Sequence, residues 1–171
     1  LDGAGRVVGV TRPHFAEEYR YDSRGAITTS SWDAQRSPAA SGLREFDSGR
    51  LTRAGRDRLL YDAAGRVVTR QRRTLSGQIR RWEYAWDAAD RLVQVTTPDG
   101  QLWRYDYDAL GRRLRKRTRG ADGTETVYLF TWDGPLVIEQ SCVSGAERAQ
   151  LSWEYDGWTP LAQYQRTHGE G

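Results

Sequence analysis

The chain has 171 residues with 37% hydrophobic content and a mean hydropathy of −0.79, values low for a compact domain. Its 7 Trp and 9 Tyr exclude a disordered polymer and favour an aromatic-rich, solvated β structure. The net charge of +3 sets 26 basic residues, all Arg except Lys116, against 23 acids. Only Arg112-Arg113-Leu114-Arg115-Lys116-Arg117 concentrates positive charge, which argues for a solvated strand face and against a nucleic-acid partner.

One phrase recurs along the chain: an aromatic, Asp, two spacers, Gly, Arg, then a β-branched or Leu pair. It opens without its aromatic as Asp2-Gly3-Ala4-Gly5-Arg6-Val7-Val8. Tyr19 and Tyr21 then begin a strand with period-two alternation, leading into Tyr21-Asp22-Ser23-Arg24-Gly25. Residues 30–43, with Pro38-Ala39-Ala40-Ser41-Gly42, have no alternation and read as a surface loop. Phe46-Asp47-Ser48-Gly49-Arg50-Leu51 is one residue short, and Tyr61-Asp62-Ala63-Ala64-Gly65-Arg66-Val67-Val68 is the clearest copy. Trp86-Asp87-Ala88-Ala89-Asp90-Arg91-Leu92-Val93 carries Asp in place of Gly, and Tyr107-Asp108-Ala109-Leu110-Gly111-Arg112 restores it. The intervals between the six Asp residues are irregular at the twenty-residue scale of repeat architectures.

Each phrase has the chemistry of a turn between strands. The Asp carboxylate can accept from a backbone N–H two residues on, and Gly at the fourth position takes positive φ without a Cβ clash. Asp90 is a tolerable substitute because Asp visits the left-handed region more readily than most residues. Between phrases, Trp82, Tyr84 and Trp86 share one strand face, as do Trp103, Tyr105 and Tyr107. A second set of turns, Ser76-Gly77, Pro98-Asp99-Gly100, Gly120-Ala121-Asp122-Gly123 and Ser144-Gly145, divides further β runs. The expectation is an all-β, antiparallel meander of hairpins with strands at Ile79–Trp86, Leu92–Thr96, Leu102–Tyr107 and 126–132. Trp132-Asp133-Gly134-Pro135 and Tyr155-Asp156-Gly157-Trp158 keep only the start of the phrase, so 1–127 reads as regular repeats and 128–171 as a divergent continuation of the same sheet. The tail Thr167-His168-Gly169-Glu170-Gly171 reads as frayed or cut.

Chemistry beyond structure finds little support. Asp106 and Asp108 could mimic a carboxylate pair, although Asp108 already has a turn role. His14 and His168 offer no metal-ligand spacing, and a Ser-His-Asp arrangement would need a chain end as its base. The lone Cys142 forms no internal disulfide and reads as a small strand residue; Gly3-Ala4-Gly5 lacks the strand-turn-helix setting of a dinucleotide loop. No catalytic residue, metal or cofactor is expected. The apolar run Pro135-Leu136-Val137-Ile138 is far too short for a membrane helix, and there is neither a signal-peptide pattern nor a Met, so the chain reads as an interior piece. As an alternative, the stripe aromatics Trp82, Tyr84, Trp103 and Tyr105 could stack on sugar rings or bases.

The phrases at Tyr21, Tyr61 and Tyr107, with the stretch Tyr128-Leu129-Phe130-Thr131-Trp132-Asp133-Gly134-Pro135-Leu136-Val137, resemble the tyrosine-aspartate (YD) repeats of Rhs proteins, toxin-complex C subunits and teneurins. The resemblance spans nearly the whole chain. It implies a β-sheet spiralling into a hollow shell, or cocoon, that encloses the protein's own carboxy-terminal toxin until delivery from a bacterium. The implied partners are the rest of the shell, that toxin and secretion-machinery proteins. The Asp-Pro pair through which such shells release their toxin is absent from this sequence, so the resemblance assigns it neither cleavage nor toxicity.

Overall fold

The computed structural model describes residues 1–32 and 40–168, without the side chain of His168. Every regular element among them is a β-strand. These are β1 (Gly9–Arg12), β2 (Phe15–Tyr21), β3 (Ile27–Trp32), β4 (Gly42–Asp47), β5 (Arg50–Ala54), β6 (Asp57–Tyr61), β7 (Val67–Arg73) and β8 (Ile79–Trp86). There follow β9 (Leu92–Thr96), β10 (Leu102–Tyr107), β11 (Arg113–Arg119), β12 (Glu125–Asp133), β13 (Leu136–Ser144), β14 (Glu147–Asp156) and β15 (Thr159–His168). Within each compact unit of the chain, strand order is sequence order and paired neighbours are antiparallel. The expected all-β hairpin meander is the fold.

The chain divides into two compact units, residues 1–83 and 84–171. In the first, β1 to β7 form successive hairpins and β7 pairs with the start of β8 through Thr69↔Glu83 to Arg73↔Ile79. Among its described residues Ser30, Ala54, Asp57 and Thr69 are buried, and of these only Ala54 is apolar. In the second, β9 to β15 form hairpins in the same way, with Val95 and Thr118 buried. A single layer leaves most side chains half-buried, so each unit is held by backbone ladders and cross-strand pairs more than by a core. The expected division at 127/128 falls within β12.

The turns are those the phrase predicts. In the Asp62 turn, Gly65 N–H donates to Asp62 O at 3.0 Å and Asp62 N–H to Arg66 O at 3.0 Å. Gly65 lies at φ 85°, and Asp90 takes the same left-handed conformation at φ 59°. The shortened copy at Asp47 becomes a two-residue loop with Ser48 at φ 49° and Gly49 at φ 79°, the left-handed pair that suits a tight hairpin.

Two expectations need correction. The stretch 30–43 is not a loop at its ends: β3 and β4 pair through Thr29↔Leu43 and Ser30↔Gly42, while 33–39 lies outside the described residues. Alternation is missing there because small residues allow close packing: Ser30 is fully buried, and a Cβ on Gly42 would lie 3.4 Å from Gly55 Cα. Thr167 and His168 are not frayed either, since they pair with Ala149 and Arg148 in β15, while 169–171 lies outside the described residues.

Replacing Gly111, whose added Cβ would meet nothing within 4 Å at φ 80°, by Ala should cost about 1–2 kcal/mol from the backbone alone. Gly65→Ala should differ from it by little, because the Arg50 guanidinium that its Cβ would meet at 2.7 Å is the far end of an exposed, flexible side chain and can swing aside. Urea unfolding of the two variants measures the difference.

Candidate functional site

The repeat residues converge on one local device. Within each full phrase the Asp carboxylate closes the turn: Asp87 Oδ1 accepts from the N–H groups of Ala89 and Arg91 at 2.9 Å each, and Oδ2 from Arg91 Nε at 2.7 Å. Asp2, Asp22, Asp62 and Asp108 accept from the backbone in the same way. Arg6, Arg66 and Arg112 return their guanidinium to the Asp four residues back at 2.6–2.7 Å. Backbone donation from Arg66, and then its guanidinium, holds the Asp62 carboxyl below the usual carboxylate range. Burial would raise Asp108, but the Arg112 guanidinium and N–H overcome it and lower it.

The strand ladder shifts by one residue immediately before the aromatic that opens a phrase, at Tyr21, Phe46, Tyr61, Tyr107, Trp132 and Tyr155. Such a bulge re-aims the following side chain. Here it turns the aromatic donor onto the preceding hairpin. Tyr21 Oη donates to Val7 O at 2.7 Å, Tyr61 to Leu51 O at 2.6 Å and Tyr107 to Leu92 O at 2.8 Å. Each acceptor is the residue after the phrase Arg. Trp132 Nε1 repeats the bond to Arg113 O at 2.8 Å, and Tyr155 Oη to Val137 O at 3.0 Å. The Arg reaches forward in exchange. Arg6 and Arg91 stand over the rings of Tyr21 and Tyr107 at 4.7 and 5.7 Å and donate to Asp22 O and Asp108 O at 3.2 Å. Arg50 stands 5.9 Å over Tyr61, and Phe46 has no donor of its own.

A second cluster lies between β6, β7 and β8. Asp57, only 4% exposed, takes Arg70 Nη2 at 2.6 Å and Arg72 Nε at 2.7 Å, while both guanidiniums cover Trp82 at 5.4 and 5.7 Å. Desolvation pushes the Asp57 acid up, but the two guanidiniums outweigh it and hold it low.

The family model for the RHS Repeat matches residues 61–101 and 86–125, each match beginning on the aromatic of a phrase. The chain is an Rhs repeat protein of the polymorphic toxin family. It is 34% identical over 99% of its length to the probable deoxyribonuclease RhsB of Dickeya dadantii, of which it covers 13%. It is 30% identical over 91% of its length to the toxin protein Tse5 of Pseudomonas aeruginosa, of which it covers 11%. The chain thus spans only a small part of these relatives. Among solved structures, the crystal structure of TcdB2-TccC3-Cdc42 aligns with a TM-score of 0.43 and 12% identity, over 88% of this chain and 10% of that one.

The Rhs phrase residues lie in turns and at strand ends. Phe46 and Asp47 end β4 and Gly49 lies in the two-residue loop that follows, and Trp86 ends β8 before the turn of Asp87, Asp90 and Arg91. Trp82 is covered by Arg70 and Arg72, Tyr105 by Arg113 at 4.8 Å and Trp103 by Lys116 at 5.4 Å. These rings already carry protein cations, which disfavours the ligand-stacking alternative; Tyr84 lies half-buried on the same strand face as Trp82.

The catalytic candidates are not assembled into a site. Asp106 and Asp108 are separated by the bulge, and each carboxylate holds its own arginine, Arg115 and Arg112, at 2.6 Å. His14 occupies a turn at φ 63° and Cys142 a strand position opposite Tyr128. No group of three or more metal-ligating side chains occurs among the described residues. Sequence reading missed the aromatic-to-carbonyl bonds and Asp57. Their signals were the donor-bearing Tyr or Trp that opens most phrases, and a lone acid beside Arg53, Arg56 and Arg58.

Tyr107→Phe should lower stability by about 1 kcal/mol, the net worth of one hydrogen bond, with the ring retained. Asp57→Asn should cost about 3 kcal/mol, because it removes the buried carboxylate charge that both Arg70 and Arg72 contact. Asp57 has a lowered native pKa, so its stabilisation is complete above the unfolded value of 3.8 and is lost as pH falls through the native one. Urea unfolding across the acid range should therefore show a shallower loss of stability in Asp57→Asn than in the parent.

Proposed function

We propose that this chain is a non-catalytic stretch of wall in an Rhs β-cage that encloses and helps deliver a carboxy-terminal toxin domain of the same protein. The observation that carries the reading is the bond from the aromatic of one phrase to the backbone of the preceding hairpin, with the Arg of the preceding phrase reaching forward over it. It makes each hairpin a template for the next and needs no buried core. A thin sheet can then extend by repetition.

Residues 128–171 continue the wall with a shortened phrase, in which Trp132 and Tyr155 keep the bulge and the bond while the Gly-Arg end is lost. β1 and β15 each have one sheet neighbour, and further wall strands would satisfy their free backbone groups. Other wall segments and the toxin are thus the partners, with secretion machinery acting on the assembled cage. The parent protein is delivered from a bacterium. The similarity to the toxin protein Tse5 supports this reading, and the cation-covered aromatics favour wall over ligand platform.

Limited proteolysis of the full protein tests the proposal. The toxin domain should resist digestion while the cage is intact and become cleavable when Tyr61→Phe and Tyr107→Phe are combined. Equal digestion of the enclosed and the isolated toxin domain would rule out a wall function.

A further inference from the structure

The first unit carries a second arginine cluster that the repeat bonds do not use. Arg53 and Arg58 stand directly opposite each other on β5 and β6, and Arg58 opposes Gln71 on β7. Arg73 joins them through its N–H, which donates to Arg56 O at 3.1 Å. Together with Ile79 they line an open recess of about 470 Å³. Glu45 neutralises Arg53 at 2.9 Å. Among the described residues, Arg56, Arg58 and Arg73 meet no carboxylate.

Like charges directly across a strand pair destabilise a sheet. Three uncompensated guanidiniums around one recess therefore favour a bound anion whose charge approaches theirs. Guanidinium forks match phosphate oxygens bidentately, and a recess of this size accommodates more than one phosphoryl group. A single carboxylate would leave most of the charge unmet.

The same positions of the repeat form a second recess. Arg58 stands three residues before Tyr61 and Arg73 seven after Arg66, as Arg104 stands three before Tyr107 and Arg119 seven after Arg112. Leu102, Arg104, Arg117, Thr118, Arg119 and Glu125 line a recess of about 330 Å³ in the second unit. Arg104 and Arg117 again oppose each other, and the buried Nε of Arg117 has no hydrogen-bond partner among the described residues. Arg119 opposes Glu125, so this recess holds less free charge than the first.

We propose that the recess of Arg56, Arg58 and Arg73 is a binding site for a polyphosphate-type anion, with the Arg104 and Arg117 recess a weaker copy. A bound anion stabilises the folded state by linkage. Calorimetric titration of tripolyphosphate into the full protein, at constant ionic strength, tests it. Saturable binding should weaken at least about tenfold in Arg58→Gln/Arg73→Gln and recover partly in Arg58→Lys/Arg73→Lys. It should be unchanged in Arg81→Gln, whose guanidinium already pairs with Glu83 at 2.9 Å. Unfolding curves in chloride confirm that each variant is folded. No saturable binding, unaltered binding by the double Gln variant, or equal affinity for citrate would overturn the assignment.

Discussion

The fold depends on one bond: an aromatic N–H or O–H at the start of a turn, donating to a backbone carbonyl of the hairpin before it. Three local features accompany it in the full phrases. The Asp carboxylate shapes the turn, the bulge rotates the aromatic out of strand register, and the phrase Arg occupies the space over the ring. A turn without the bulge would leave Tyr107 on the flat of the sheet, too far round to reach Leu92 O.

This local economy explains why so little is buried. Ala54 and Val95 are the buried apolar residues among those described, and a structure of this kind cannot rest on area removed from water. Its stability is spread over many half-buried contacts, each of modest size: hydrogen bonds from aromatic rings, cations over those rings and backbone ladders. Asp57 is the exception. It concentrates two ion pairs and a covered Trp in a single buried place, so its loss falls on one site and is not shared among repeats.

A sheet held this way suits the wall proposed for it, because its polar groups are taken up by the repeat itself. Trp82, Trp103 and Tyr105, which might have bound a ligand, are covered by Arg and Lys, and Asp106 and Asp108, which might have acted as acid or base, are committed to arginines. Variation enters through the lengths of the loops, as the short Asp47 turn and the shortened phrases at Asp133 and Asp156 illustrate. The bond to the previous hairpin survives at Trp132 and Tyr155 although their phrases have lost the Gly-Arg end. What is preserved is the donor and the bulge, which are what the next hairpin needs.

The amino-acid sequence by itself determined the turns, the alternation and the all-β class, because these depend on neighbours within a few residues. Asp62 and Gly65 specify their turn wherever they are placed, and Asp90 takes the left-handed conformation for the same local reason. The ends of the 30–43 stretch were misread because Ser30 and Gly42 take part in a close backbone approach that has no periodic signature. The partner of Tyr61, the two arginines on Asp57 and the crowding of Arg58 with Arg53 were decided only by tertiary structure. Those contacts join residues roughly five to fifteen apart on different strands, and strand register, which a one-residue bulge resets, selects which side chains meet.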